Sequence, residues 1–274
     1  MRNASVALIG YGAIADEIVR ILEERNELES LRGILGKAAS LPHLQAKSKG
    51  RFPIVVDLAE LLALDTDVII EAAGHQATRE FGPALLARGH SVLFASVGAF
   101  ADRALAQQVV DSAAAESELL VAAGAVAGID GLRAARSAGL KAVSYASWKP
   151  PISWRGTAGA ALVDRLDEHT GIFFDGVARQ AALGYPRNAN VGALIGLLGL
   201  GLDRTRVRLG SDAKLVGPKA VIEAEGDFGT FHFEIATRSS ANPKTSSITA
   251  HSLVAAVRDG TAINALQAVR ESVA

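Results

Sequence analysis

The hexad Gly10-Tyr11-Gly12-Ala13-Ile14-Ala15 closes a short apolar run, residues 5–9, and opens an amphipathic one. Its spacing is the G-x-G-x-x-A form of a dinucleotide-binding turn. Gly10 permits the tight turn, Gly12 lets a pyrophosphate approach the backbone, and Ala15 lets the helix pack closely on the strand. Ala13 and Ile14 sit where a helix start offers N–H groups and a positive dipole end to phosphates. The same spacing also makes a strand-to-helix turn with no ligand. What favours a dinucleotide is the place of the motif at the head of an alternating β/α region.

The adenosine end reads differently. NAD is held by an acidic residue closing the second strand, but that stretch ends Ile34-Leu35-Gly36-Lys37. Glu27 and Glu29 come too early. Lys37, with Arg32, can meet the 2′-phosphate of NADP, or it is a solvated loop charge. The cofactor is therefore read as NADP or NAD.

Three more loops of small residues follow successive apolar strands: Glu71-Ala72-Ala73-Gly74-His75, Ser96-Val97-Gly98-Ala99-Phe100 and Gly124-Ala125-Val126-Ala127-Gly128. In a doubly wound sheet such loops face the ligand crevice. Ala73, Gly74 and Gly98 are thus candidate contacts for a flat ring, although ordinary turn chemistry explains any single loop. Asn188 or Asn190 is expected to cap the helix after Tyr185-Pro186-Arg187. Asn242-Pro243-Lys244-Thr245-Ser246 also precedes a helix, with Thr245 or Ser246 as its cap. Lys244, and Lys149 before Pro150-Pro151, are candidates for a substrate carboxylate. None of the six histidines has a metal-ligand spacing, so no metal is expected. His75 lies in a candidate cofactor loop, and no G-x-S-x-G elbow is present.

Bulk composition narrows the classes. The chain has 274 residues, 49% apolar and 21% charged, enough for a large buried core and too apolar for wholesale disorder. Lys plus Arg total 28 and Asp plus Glu 29, a net charge of −1, which argues against a nucleic-acid partner. With no cysteine there are no disulfides, thiolate metal sites or cysteine nucleophiles. This fits a reducing, cytoplasmic setting. The apolar run 191–202 is too short to span a bilayer. The run 6–15 has the length of a signal-peptide core, but its glycine spacing is better explained by the turn described above.

The elements needed to position these residues follow from periodicity. Strands are expected at 5–9, 31–35, 54–56, 67–71, 91–94 and 118–121. Helices are expected at 16–25, 58–64, 77–88 and 101–115, with 36–51 a loop or ragged helix. This alternation predicts an α/β fold with a parallel sheet covered on both faces. After about Gly124 the pattern changes. A helix at 128–138, a strand at 140–147 and a long apolar helix at 191–202 precede three β-type runs, 206–210, 220–224 and 230–236. These predict an antiparallel sheet. Two helices, 246–258 and 261–273, end the chain.

Several of these motifs together resemble the L-aspartate dehydrogenase family. They are Gly10 to Ala15, the run 96–102, Gly124 to Gly131, Lys149-Pro150-Pro151 with Trp154, Phe174 to Arg179, Tyr185 to Val191 and Asn242 to Ser246, in order along nearly the whole chain. The resemblance implies a Rossmann domain, 1–127 with 242–274, completed by C-terminal helices. It also implies an α+β domain, 128–241, with a mixed or antiparallel sheet for substrate and dimerisation. It implies NAD(P)-dependent oxidation of L-aspartate to iminoaspartate, which feeds NAD biosynthesis or hydrolyses to oxaloacetate and ammonia. The same family contacts its dinucleotide where Ala125 and Asn190 fall. Lys149, Asn188, Lys244 and Thr245 would lie near the substrate, and a homodimer is expected.

One departure stands out. Members of the family carry Asp-Pro and then Asn-x-His before the last sheet strands, and that histidine is the acid/base. Here the corresponding residues are Ala213, Pro218 and Ala220. A methyl group cannot move a proton. The chain is then a slow aspartate dehydrogenase, an enzyme in which another group such as His75, His232, Lys244 or a water takes the role, or a protein with another imino or oxo acid substrate or no turnover.

Overall fold

The computed structural model describes residues 4–238 and 246–274. The chain divides into two compact units. The first comprises Met1–Ser96, Gln107–Ala122 and Ala250–Leu266; the second comprises Val97–Ala106, Ala123–Thr249 and Gln267–Ala274.

Short apolar strands alternate with helices through the first unit: β1 (Val6–Ile9), α1 (Ala13–Glu24), β2 (Leu31–Leu35), α2 (Leu41–Ser48), β3 (Ile54–Val55), α3 (Leu58–Leu62), β4 (Val68–Glu71), α4 (His75–Leu86), β5 (Ser91–Phe94), α5 (Arg103–Ser112) and β6 (Glu118–Val121). The parallel strands lie in the order β6-β5-β4-β1-β2-β3. Strand order therefore reverses between β1 and β4, whose Ile9 and Glu71 are register partners. In an open sheet of this kind ligands bind beyond the strand ends at the reversal. All four residues of β1 and of β4 are buried, as strands covered on both faces must be.

Two local expectations needed revision. Helix α1 begins at Ala13, three residues before the expected start, because Gly12 serves as N-cap and Ala13 and Ala15 are strong helix formers. The polar stretch 36–51 contains a regular helix, α2. Pro42 in its first turn fixes a helical φ, and Lys49 ends it in the left-handed conformation.

The main stretch of the second unit, Ala123–Thr249, carries α6 (Ile129–Ser137), β7 (Leu140–Lys149), α7 (Ala160–Val163), β8 (Gly171–Val177), α8 (Ala178–Gly184) and α9 (Asn190–Leu198). Strands β9 (Arg206–Ser211), β10 (Lys219–Gly226) and β11 (Gly229–Ala236) follow. Its sheet runs β11-β10-β7-β9-β8. The sheet is mixed, one of the two forms that the family resemblance implies, and only some of its pairs are antiparallel. Strand β9 returns parallel to β7 after the long crossover through β8, α8 and α9. Strand β8 was not anticipated: it is a bulged edge strand with no clean alternation of buried and exposed positions.

The chain ends with α10 (Ile248–Arg258), β12 (Ile263–Asn264) and α11 (Leu266–Glu271). Leu253, Val254 and Val257 of α10 share one buried cluster with Val6, Leu8, Ile18 and Leu22. Arg258, 4% exposed, donates to the Ala4 carbonyl at 2.7 Å and pairs with Glu27 at 2.8 Å. The expected helix 261–273 is interrupted. Gly260, at φ 66°, stops α10, the next residues pair with β6, and the Asn264 side chain accepts from the Leu266 N–H to start α11. Among the described residues no helix is long and apolar enough to cross a membrane.

Candidate functional site

The turn after β1 is shaped by the absence of two side chains. Gly10 has φ 90°, and a Cβ there would stand 2.6 Å from the Cβ of Ala73. The backbone of the β4–α4 loop thus passes directly over it. Around Gly12 an added Cβ meets nothing within 4 Å. The N-terminus of α1 has no side-chain cap, so no capping side chain occupies its first N–H groups, at Ala13, Ile14 and Ala15. A groove of about 590 Å³ runs past this turn, lined among others by Gly10, Gly12, Lys37, Ser40, Ala73 and Gln76. An exposed backbone cradle at a helix start suits a diphosphate, and the residues present fit a dinucleotide.

Two side chains fix the cradle, and neither was assigned a role from the sequence. Lys47 of α2 reaches back to donate to the Tyr11 carbonyl at 3.1 Å and to Asp16 at 2.7 Å, and it lies 4.1 Å over the Tyr11 ring. Glu71, fully buried at the end of β4, accepts from the N–H groups of Ala73 and Gly74, both at 2.8 Å, and from the N–H and hydroxyl of Ser96. Burial pushes its carboxyl above the usual range, and those four donors oppose the shift. One carboxylate therefore sets the paths of two loops at the sheet's reversal. The sequence signal was available: an acidic residue ends a continuous apolar strand just before Ala-Ala-Gly. Gly74, at φ 110°, then N-caps α4, and His75 is the first residue of that helix.

In the second unit the loop after β5 is a buried 3-10 turn, Val97–Ala101. The Gly98 N–H donates to the Asn190 side chain at 3.0 Å. Arg179, 9% exposed, grips the same turn through the Ala101 carbonyl at 2.6 Å, the Ser272 carbonyl at 2.9 Å and Asp203 through two bonds. The guanidinium holds the Asp203 carboxyl below the usual range. Neither asparagine caps α9, whose N-cap is Ala189. The Asn190 carbonyl oxygen is committed to Gly98, and the Asn188 amide points to the Ser153 carbonyl at 3.4 Å.

Lys149 ends β7 and is 8% exposed. Its ammonium lies 3.5 Å from the Asn188 carbonyl and 5.5 Å from the centre of the Trp154 ring. Burial pulls its pKa down to about 8. Ala220 of β10 is paired with Ser147 and is also buried. The chain thus brings Lys149, Asn188 and Ala220 onto one buried region of the second unit. His232 is elsewhere: it lies on β11 with its side chain 56% exposed, 3.6 Å from Glu223. Ala125 is half-buried, between Gly124 and Gly128, both of which have positive φ. Lys244 and Thr245 lie outside the described residues. Ser246 is described; its hydroxyl accepts from the Ile248 N–H at 3.4 Å.

Comparison with known proteins covers both halves of the chain. The family model described as "Aspartate dehydrogenase, C-terminal" matches residues 130–260. The one described as "Homoserine dehydrogenase, NAD binding domain" matches residues 10–121. A protein of Serratia proteamaculans named L-aspartate dehydrogenase is 39% identical over 92% of this chain and 96% of its own length. One of Brucella anthropi with the same name is 36% identical over 94% and 96%. The crystal structure of aspartate dehydrogenase from Thermotoga maritima superposes with a TM-score of 0.68 at 21% identity, covering 93% of this chain and 96% of that one. It shares the fold.

Proposed function

This chain belongs to the aspartate dehydrogenase family, and from that membership we propose that it oxidises L-aspartate to iminoaspartate with NAD(P), or runs the reverse reduction. The nearly full-length likeness to proteins named L-aspartate dehydrogenase carries this reading. It stands ahead of a reductase for another imino or oxo acid and of a non-catalytic dinucleotide-binding homologue.

When bound, the dinucleotide supplies the hydride acceptor. The protein's part is to bind, orient and exclude water. Gly10, Gly12 and the first N–H groups of α1 would hold the diphosphate, with the cradle kept in shape by Lys47 and Glu71. Ala73, Gly74, Gly98, Ala125 and Asn190 would border the nicotinamide end. Lys37, beside a second strand with no closing carboxylate, supports the 2′-phosphate form of the cofactor. Lys149, Asn188, Lys244 and Thr245 would face the dicarboxylate. A cytoplasmic homodimer serving NAD biosynthesis fits this assignment.

The test is direct. Purified protein is given NADPH or NADH with oxaloacetate and ammonium, and cofactor oxidation is followed against an enzyme-free blank. Turnover that requires both co-substrates is expected. Its absence at high enzyme, with either cofactor, rejects the aspartate assignment.

A further inference from the structure

Removing a hydride from the α-carbon of an amino acid requires the nitrogen to lose a proton, because the lone pair must be free to form the C=N bond. The groups that stand near Ala220 decide what can take that proton here. The buried face of the second sheet carries Val143, Tyr145, Ser147 and Lys149 from β7, Val207, Leu209 and Ser211 from β9, and Ala220, Ile222 and Ala224 from β10. Two of these side chains titrate. Tyr145 is 3% exposed and burial pushes its pKa up to about 12, so it holds its proton at neutral pH. The other is Lys149.

The surroundings of Lys149 are those of an amine set apart for use. Ser211 is its register partner on β9, and Ser147, two residues back on the same face, pairs with Ala220. The turn Pro151–Trp154 and the chain at Asn188 also pack against it. No described residue brings it a carboxylate. Asp212 next door gives its N–H to the Lys149 carbonyl and directs its carboxylate to the Lys214 N–H. Neighbouring Arg187 is exposed. Burial alone lowers the affinity of Lys149 for its proton. The polar atoms around it are also underused. The Asn188 side-chain Oδ1, the Trp154 Nε1 and the Ser211 hydroxyl are buried without a hydrogen-bond partner. A structural lysine is normally held by an anion or reaches solvent with its ammonium, and this one does neither among the described residues.

We propose that Lys149 is the proton-transfer residue of this chain, and that it acts on the amino group of the substrate. This deepens the aspartate reading and rests on it. The neutral Lys149 amine takes one proton from the α-ammonium of aspartate and becomes an ammonium. The freed nitrogen lone pair forms the C=N bond as the α-hydrogen leaves with its electron pair for the bound nicotinamide, and the product is the protonated imine. In the reverse direction the Lys149 ammonium returns the proton to the amine as it forms.

Two variants separate proton transfer from charge. Lys149→Arg keeps a cation but cannot lose its proton, whereas Lys149→Met keeps neither. Both are expected to lower kcat for aspartate oxidation by about 10²–10⁴-fold, the usual worth of general base help. Lys149→Arg should retain KM for aspartate within a few-fold. In the wild type, kcat should rise with pH through a limb at about 8 that both variants lack. A Lys149→Arg enzyme that keeps kcat within about threefold, or keeps that limb, overturns the proposal and leaves the aspartate reading standing. A wild-type enzyme with no aspartate turnover overturns the reading, and the proposal falls with it. Competitive acetylation read by mass spectrometry gives a readout independent of activity. A Lys149 labelling midpoint at about 8 is expected. One near the free-lysine value of about 10.4 overturns the proposal whatever the activity.

Discussion

An added Cβ on Gly10 would lie 2.6 Å from the Cβ of Ala73, although 63 positions separate the two in sequence. Ala73 is held in place by Glu71 and Gly10 by the β1–β2 pairing, where its N–H donates to the Leu35 carbonyl at 2.8 Å. Gly12, two residues on, has nothing within 4 Å of its Cβ position. The two glycines should therefore fail in different ways. Gly10→Ala combines a positive φ with a backbone collision and should lower stability by about 1–3 kcal/mol. Gly12→Ala should leave stability within about 0.5 kcal/mol and weaken NAD(P)H binding at least tenfold, as read by cofactor fluorescence. Unimpaired binding by Gly12→Ala would remove the diphosphate from this turn.

Glu71 gives a pH test. Burial raises its folded pKa above the unfolded one. Its contribution to stability is then complete below the unfolded value of about 4.3 and is lost as pH rises through the folded value. Glu71→Gln does not titrate. The stability of the wild type relative to Glu71→Gln should fall as pH rises from 4 toward neutrality, measured by urea unfolding at each pH. A relative rise would mean that the four donors outweigh burial.

Arg258 joins α10 to the start of β1. Arg258→Met leaves the Ala4 carbonyl without its partner and strips Glu27 of its buried cation, leaving it paired with Arg25 at 3.1 Å. Breaking a buried pair from one side costs about 3–5 kcal/mol. Because Glu27 keeps 28% of its side chain in solvent, a loss near the lower end, about 3 kcal/mol, is expected from chemical denaturation. A loss under about 1 kcal/mol would show that the apolar contacts of Leu253, Val254 and Val257 hold the helix alone.

Lys37 lines the groove with an exposed ammonium. If it meets a 2′-phosphate, Lys37→Ala should weaken NADPH binding by about tenfold, equivalent to about 1.4 kcal/mol. NADH binding should change by less than about twofold. Equal effects on both cofactors, in calorimetric titrations, would reduce Lys37 to a general surface charge.

The dinucleotide turn, the parallel strands of the first sheet and the α/β class were legible because they are local. Gly10, Gly12 and Ala15 are close in sequence, and strands buried on both faces read as continuous apolar runs. The strands that were missed, β8 and β12, are edge strands, one bulged and half-exposed and the other two residues long. Their pairing partners define them, and no local pattern announces them. The capping role expected of Asn188 or Asn190 failed for a similar reason. Long-range acceptors and donors at Ser153 and Gly98 claimed both side chains.

By itself, the chain's order of residue types settled the parallel strands of the first sheet, where the backbone must turn tightly, and which family the motifs resemble. Only the tertiary structure decided that Glu71 anchors two loops, that Lys47 braces the glycine turn, and that Lys149 stands buried on the same sheet face as Ala220 with no carboxylate brought to it among the described residues. Periodicity reports which face of an element avoids water. It cannot report which distant polar groups meet once that face is buried, and those meetings set the protonation states on which the chemistry depends.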